Sequence, residues 1–184
     1  MLHLPNLLLI AGTGRNIGKT TLATSVIRRN ADKHAIIGLK VSSIYPSESA
    51  YHGAKNAPME GNFVITEEFD RSGSKDTSKM LLAGATRVFY VRVKDDHLEE
   101  AMSAFFQLVD YKSVIVCESG SLRSEVHPGL FVMIRHMVNE KPRTKQWVEV
   151  ADMVIEADLA SERRCLACIV LTEKGWQLNE ERQP

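Results

Sequence analysis

Leu7-Leu8-Leu9-Ile10-Ala11-Gly12-Thr13-Gly14-Arg15-Asn16-Ile17-Gly18-Lys19-Thr20-Thr21-Leu22 joins an apolar run to a glycine-containing turn and then to a helix-like stretch that continues to Arg29. The order reads as a phosphate-binding loop. Backbone N–H groups of such a turn point inward around an anion and lead into the positive end of a helix. Lys19 adds a mobile full charge, and the Thr20 hydroxyl is placed to ligate a magnesium ion bridging the terminal phosphates. The candidate nucleotide site is therefore Gly12, Thr13, Gly14, Arg15, Asn16, Ile17, Gly18, Lys19, Thr20 and Thr21. Five residues separate Gly12 from Gly18, one more than the usual spacing, and Thr13 stands where the first glycine belongs. The strand before, the Gly-Lys-Thr-Thr core and the helix after carry the reading, because the mechanism needs that order. Charge-assisted hydrogen bonds contribute about 1.5–3 kcal/mol each. Several converging on one triphosphate can outweigh an association cost of roughly 4–15 kcal/mol.

Outward from this stretch, apolar runs alternate with amphipathic segments, the pattern of a mostly parallel sheet covered on both faces. Strands are expected at Leu7 to Ala11, Ala35 to Val41, Val88 to Val93, Ser113 to Cys117, Leu130 to Ile134, Met153 to Ile155 and Ala167 to Leu171, with a weaker signal at Phe63 to Thr66. Helices are expected at Lys19 to Arg29, Thr77 to Ala83, Asp96 to Val109 and around Arg143 to Ala151, with Asp76 as an N-cap for the second. Leu171-Thr172-Glu173-Lys174-Gly175-Trp176-Gln177-Leu178 reads as a closing antiparallel hairpin. The segment from Ser42 to Gly61 is rich in Ser, Pro, Ala and Gly and has no sustained period, so it is expected to be a long loop. It leaves the second strand on the rim where doubly wound sheets bind ligands.

The 184 residues fit a single nucleotide-binding domain, 1–184, able to bury about 70% of the surface its unfolded chain would expose. Lys plus Arg equals Asp plus Glu at 23 each, and no long basic block offers the general phosphate attraction of nucleic-acid binders. A nucleic-acid partner is not expected. The apolar run near the N-terminus is far shorter than the ~18 residues of a membrane span, so no membrane partner and a cytoplasmic location are expected. Cysteines occur at Cys117, Cys165 and Cys168, an odd count that argues against a disulfide framework. Cys165 and Cys168 have metal-ligand spacing but no second pair, and they read as buried or idle thiols at the start of a strand. The six histidines fall at no spacing that places two on one helix face, and Phe105-Phe106 with Met133 and Met137 fit buried faces.

Ser113 to Glu118 is an apolar strand ending in a carboxylate, the shape of a magnesium-organising strand in nucleotide hydrolases. Glu118 would hold a water on the metal or orient the attacking one; the alternative is an acid capping a strand in solvent. Lys40 ends the second strand, where it either reaches an anionic substrate or is merely solvated. Asp76 either serves magnesium or caps its helix. Arg15 either leans over the terminal phosphate or points outward, and the outward orientation is expected.

With these residues in place, the chain resembles a class of dimeric P-loop NTPases that includes molybdopterin-guanine dinucleotide biosynthesis protein B and dethiobiotin synthetase. The likeness rests on Gly18-Lys19-Thr20-Thr21-Leu22, on Gly73-Ser74-Lys75-Asp76-Thr77 with Ala83-Gly84-Ala85-Thr86-Arg87-Val88, and on Glu118-Ser119-Gly120. The resemblance implies a GTP-binding, weakly GTP-hydrolysing homodimer that assists a molybdenum cofactor biosynthesis protein in attaching a nucleotide to molybdopterin. It implies Lys19 and Glu118 as catalytic residues and Thr20, Asp76 and Glu118 as magnesium ligands. The longer loop is similar to that of dethiobiotin synthetases, although Gly14 stands where those enzymes carry an acid, and Val41 replaces the histidine that follows the lysine in the molybdopterin family. Two other readings stay open: an ATP-dependent dethiobiotin synthetase-like ligase, and a nucleotide sensor or scaffold without significant chemistry. No Asn-Lys-x-Asp guanine reader occurs, so the choice between GTP and ATP is not read from a motif.

Overall fold

The computed structural model describes residues 1–44, 59, 61–136, 142–159 and 163–179. Strand β1 (Leu2–Gly12) leads through a loop into helix α1 (Lys19–Asn30) and strand β2 (Ile36–Ile44). Strand β3 (Phe63–Glu67), helix α2 (Asp76–Leu82), strand β4 (Arg87–Lys94) and helix α3 (Leu98–Leu108) follow. The second half holds β5 (Val114–Ser119), β6 (Val126–Arg135), α4 (Pro142–Glu149), β7 (Met153–Glu156), the short helix α5 (Arg163–Cys168), β8 (Ile169–Thr172) and β9 (Gly175–Leu178). The main sheet runs β3-β4-β2-β5-β1-β6-β7, and β8 with β9 forms a separate antiparallel hairpin. Every neighbouring pair in the main sheet is parallel except β3 with β4. The result is an α/β architecture with a mostly parallel sheet between helices.

The continuous apolar runs arise because both sheet faces are covered. Successive residues of β1 alternate sides: Leu8 and Ile10 pack with α1, α2, Cys165 and Trp176, whereas Leu7, Leu9 and Ala11 pack with α3. In α1 the buried side is Leu22, Ala23, Val26 and Ile27, and in α3 it is Leu98, Ala101, Met102 and Phe105. Both sets recur at helical spacing, which gives each helix one apolar stripe for the sheet. Trp147 and Val148 of α4 join the α3 side. Among the described residues no helix is long and apolar enough to cross a membrane.

Several expected boundaries need correction. Strand β1 begins at Leu2 rather than Leu7, and its pairing with β6 shifts register between Leu4 and Leu8, around Pro5. Proline has no N–H to donate to a ladder, which hides this part of the strand from periodicity. Strand β6 likewise starts at Val126, ahead of Leu130. Ser42, Ser43 and Ile44 belong to β2, where they pair with Arg92, Val93 and Lys94, so the expected loop cannot start at Ser42. Its remainder, 45–58 and 60, lies outside the described residues, as do His52 and Met137. Cys165 and Cys168 are buried and outside any disulfide, but they sit on α5, and the expected strand over Ala167 to Leu171 starts only at Ile169. Six residues are too few for a helical period to stand out from the apolar run that follows.

The hairpin and β6 close on one backbone group. An added Cβ at Gly129 would lie 1.9 Å from the Pro5 carbonyl oxygen and 2.7 Å from its carbon, and at Gly175 2.1 Å from the same oxygen. Backbone atoms cannot rotate away as a side chain can. Gly129→Ala is therefore expected to destabilise the fold by about 1–3 kcal/mol or more through overpacking. Urea denaturation would read this as a lower midpoint at unchanged slope. Gly120→Ala, where nothing lies within 4 Å, is the control that should barely move.

Candidate functional site

The loop from β1 to α1 emerges at the C-terminal edge of the parallel strands, beside the ends of β2 and β5. Gly12 is still in register with Ile134 of β6, and the Thr13 amide donates to the Ile134 carbonyl at 3.0 Å. The buried Thr13 hydroxyl then accepts the His136 amide at 2.9 Å. The residue that departs from the glycine pattern thus ties the loop to the end of β6. Gly18 occupies the N-cap of α1 with φ 99°, a left-handed conformation that glycine adopts without a Cβ penalty. No acidic side chain lies in the first turn of α1, which leaves the positive end of its dipole for an anion.

Lys19, the first residue of α1, turns back over the loop and donates from Nζ to the Gly14 carbonyl at 2.6 Å. Arg15 is exposed. A cavity of about 200 Å³ opens here, walled by residues 16–21 together with Asp76, Lys79 and Glu118.

Three elements far apart in sequence supply its charged wall. Lys40 on β2 is in register with Glu118 on β5, and it also pairs in register with Tyr90 on β4. Register partners point to the same sheet face. Asp76 arrives from the start of α2, whose first turn is held by Thr77 Oγ1 donating to Glu68 Oε2 at 2.7 Å. Met80 of the same helix is buried over Gly38 of β2. The helix is not capped by Asp76. Lys75 takes the N-cap position, and the Ser78 hydroxyl bonds back to both its amide and its carbonyl at 2.9 Å. Asp76 is instead the first helical residue, free to turn its carboxylate toward Lys40.

The Lys40 ammonium bonds Asp76 Oδ2 and stands 3.8 Å from Glu118 Oε1. Lys79 Nζ lies 3.6 Å from Asp76 Oδ1. The Thr20 hydroxyl donates to Glu118 Oε2 at 2.7 Å. Glu118 is only 6% exposed, which removes the alternative of a strand end in solvent, and Lys40 is paired rather than merely solvated. Burial alone would raise the Asp76 carboxyl, but the Lys40 hydrogen bond and charge, aided by Lys79 and Thr20, hold it below its ordinary value. For Lys40, burial opposes the charge while Glu118 and Asp76 favour it, and the outcome is a raised value.

A depressed carboxylate contributes stability above its unfolded value and loses it as pH falls through the folded one. Asp76→Asn should therefore be less stable than wild type near neutrality. The difference should shrink as pH falls below the ordinary aspartate value of 3.8 and onward through the lower folded one. Urea midpoints of the two proteins from pH 7 down to pH 2 would check this; a difference constant over that range would dissolve the ion pair as its source.

Asp76, Glu118 and Thr20 form an all-oxygen donor set, which suits a hard cation such as magnesium. That ion commonly takes one or two carboxylates and completes its shell with phosphates and waters. Among the described residues no group of three or more His, Cys, Asp or Glu gathers into a metal cage. Sequence reasoning missed Lys79 as a wall of the cavity. Its spacing of three from Asp76 would have shown it, had the helix been started at Asp76 rather than at Thr77. His3 and His127, which share no helix face, meet across β1 and β6 with rings 5.5 Å apart. They lie near the starts of those strands, at the opposite end from the cavity.

No protein-family model, no curated protein and no solved structure matches the chain.

Proposed function

We propose that the chain is a P-loop protein that binds a magnesium-nucleoside triphosphate in the cavity between the β1–α1 loop, Asp76 and Glu118, and hydrolyses it slowly. One observation carries the reading: Thr20, the residue after Lys19, is hydrogen-bonded to the Glu118 carboxylate near the end of β5, at the N-terminus of a helix that follows a parallel strand. That arrangement supports a phosphate chain on the helix N-terminus and a metal beside it. In this reading the loop amides and Lys19 hold the phosphates. Thr20, Asp76 and Glu118 hold the magnesium, which would supply charge neutralisation of the terminal phosphates. Glu118 orients the attacking water, and Lys19 stabilises charge on the transferred group.

GTP as the nucleotide, the homodimer and a role beside a molybdenum cofactor biosynthesis protein follow from the resemblance described above. The test is parallel titration of GTP and ATP, with and without magnesium, followed by turnover measurements. Micromolar binding of either triphosphate that tightens with magnesium supports the proposal. Failure of both to bind at millimolar concentration ends it. The second reading, an ATP-dependent ligase similar to dethiobiotin synthetase, is favoured by the extra residue between Gly12 and Gly18. Hydrolysis stimulated by a small amine with bicarbonate would select it.

A further inference from the structure

Asp76 and Glu118 reach the same spot from α2 and β5, and the cation lying between them is the ammonium of Lys40. Each carboxylate oxygen has a partner, and Lys40 serves one oxygen of each acid. Asp76 Oδ2 bonds Lys40 and Oδ1 faces Lys79 at 3.6 Å, while Glu118 Oε1 faces Lys40 at 3.8 Å and Oε2 accepts from Thr20 at 2.7 Å. Lys79 is half exposed and pairs with Asp76 alone of the two acids; Lys40 is 21% exposed and pairs with both. Two carboxylates this close, one nearly buried, need a counter-charge. The strand register supplies it, because Lys40 pairs directly with Glu118 on the neighbouring strand.

Resting on the magnesium site assigned above, we propose that Lys40 is the resident cation of the Asp76–Glu118 pair and that a divalent cation reaches these carboxylates only by exchanging with it. A doubly charged ion and an ammonium sharing the same oxygens repel strongly at such distances. Bare magnesium also adds two charges to a site where Lys40 and Lys79 already pair with Asp76 and Glu118 and Lys19 lines the same cavity. A triphosphate reverses that balance: it brings negative charge with the metal and gives the displaced ammonium a new partner. Metal and triphosphate binding are therefore coupled through one side chain, and free magnesium binds weakly.

The experiment titrates magnesium alone, without nucleotide, into the full chain and into Lys40→Met, which keeps the length and removes the charge. A neighbouring opposite charge shifts a site's equilibrium by about one to three decades, so Lys40→Met should bind magnesium about tenfold tighter or more. Adding Asp76→Asn should remove the gain. Equal or weaker affinity in Lys40→Met overturns the proposal. Where Lys40→Met does not fold, wild type is read instead by mass spectrometry after an amine-reactive acetylating ester, with Lys112 as the remote reference. Lys40 labelling should rise as magnesium saturates the site, and constant labelling overturns the proposal. Binding of a fluorescent triphosphate to wild type is scored separately. A magnesium gain without triphosphate binding leaves the exchange standing and removes the nucleotide reading. Triphosphate binding without the gain removes the exchange alone.

Discussion

Lys19→Ala is expected to weaken triphosphate affinity by about 2–5 kcal/mol, the loss seen when one partner of a desolvated charge pair is truncated. That is roughly 30- to 5,000-fold in Kd. Lys19 is the first residue of α1, so its stem starts where the helix dipole is positive, and its ammonium is held over the loop by the Gly14 carbonyl. A ligand phosphate would exchange for that local bond. Removing the side chain should therefore spare the fold, since the core side of α1 is built from Leu22, Ala23, Val26 and Ile27. Calorimetric titration of GTP and ATP, beside a thermal melt of each protein, separates the two effects. Unchanged affinity in a variant that melts like wild type would refute the placement of the triphosphate at this loop.

The parts of this site that the sequence made legible are the local ones. A strand, a turn and a helix lie within some two dozen consecutive residues, and their order is written in apolar runs and glycines. Glu118 was legible too, as a carboxylate ending an apolar run. What could not be read is that Lys40 and Glu118 sit side by side. Their adjacency depends on β5 inserting between β1 and β2, a choice of strand order made by non-local pairing. The cap alternative for Asp76 fails for a related reason. A short carboxylate before a helical run is a good local signal, but an oppositely charged lysine from β2 outcompetes the backbone amides for it. The outer boundaries failed where proline interrupts the pattern, at Pro5 in β1 and Pro128 in β6, because the sheet tolerates what periodicity does not. Thr13 shows the opposite case. It breaks the loop consensus, yet its amide bonds Ile134 of β6 and its hydroxyl accepts from His136 just past that strand, so the loop is anchored rather than slack.

Glu118→Gln is expected to slow hydrolysis by about 100- to 10,000-fold, the range for losing a positioned general base, while triphosphate affinity at saturating magnesium changes little. The split follows from the geometry. Glutamine keeps the size of the side chain and an oxygen that can still accept the Thr20 hydroxyl, so the wall of the cavity and its hold on α1 persist. The loop amides and Lys19, which carry most of the phosphate binding in the proposed function, are untouched. Glutamine cannot supply the negative charge that orients a water for attack or helps hold a metal beside Thr20. It also leaves Lys40 with Asp76 as its remaining acidic partner among these contacts, which should lower stability without unfolding the chain, because the Lys40–Asp76 bond stays. Single-turnover rates of the two proteins at saturating magnesium and triphosphate measure the chemical step apart from binding. Equal rates would take Glu118 out of the chemistry and leave it as a partner of Thr20 and Lys40. A large rise in Kd at an unchanged rate would make it a binding residue instead, and the attacking water would then need another group to orient it.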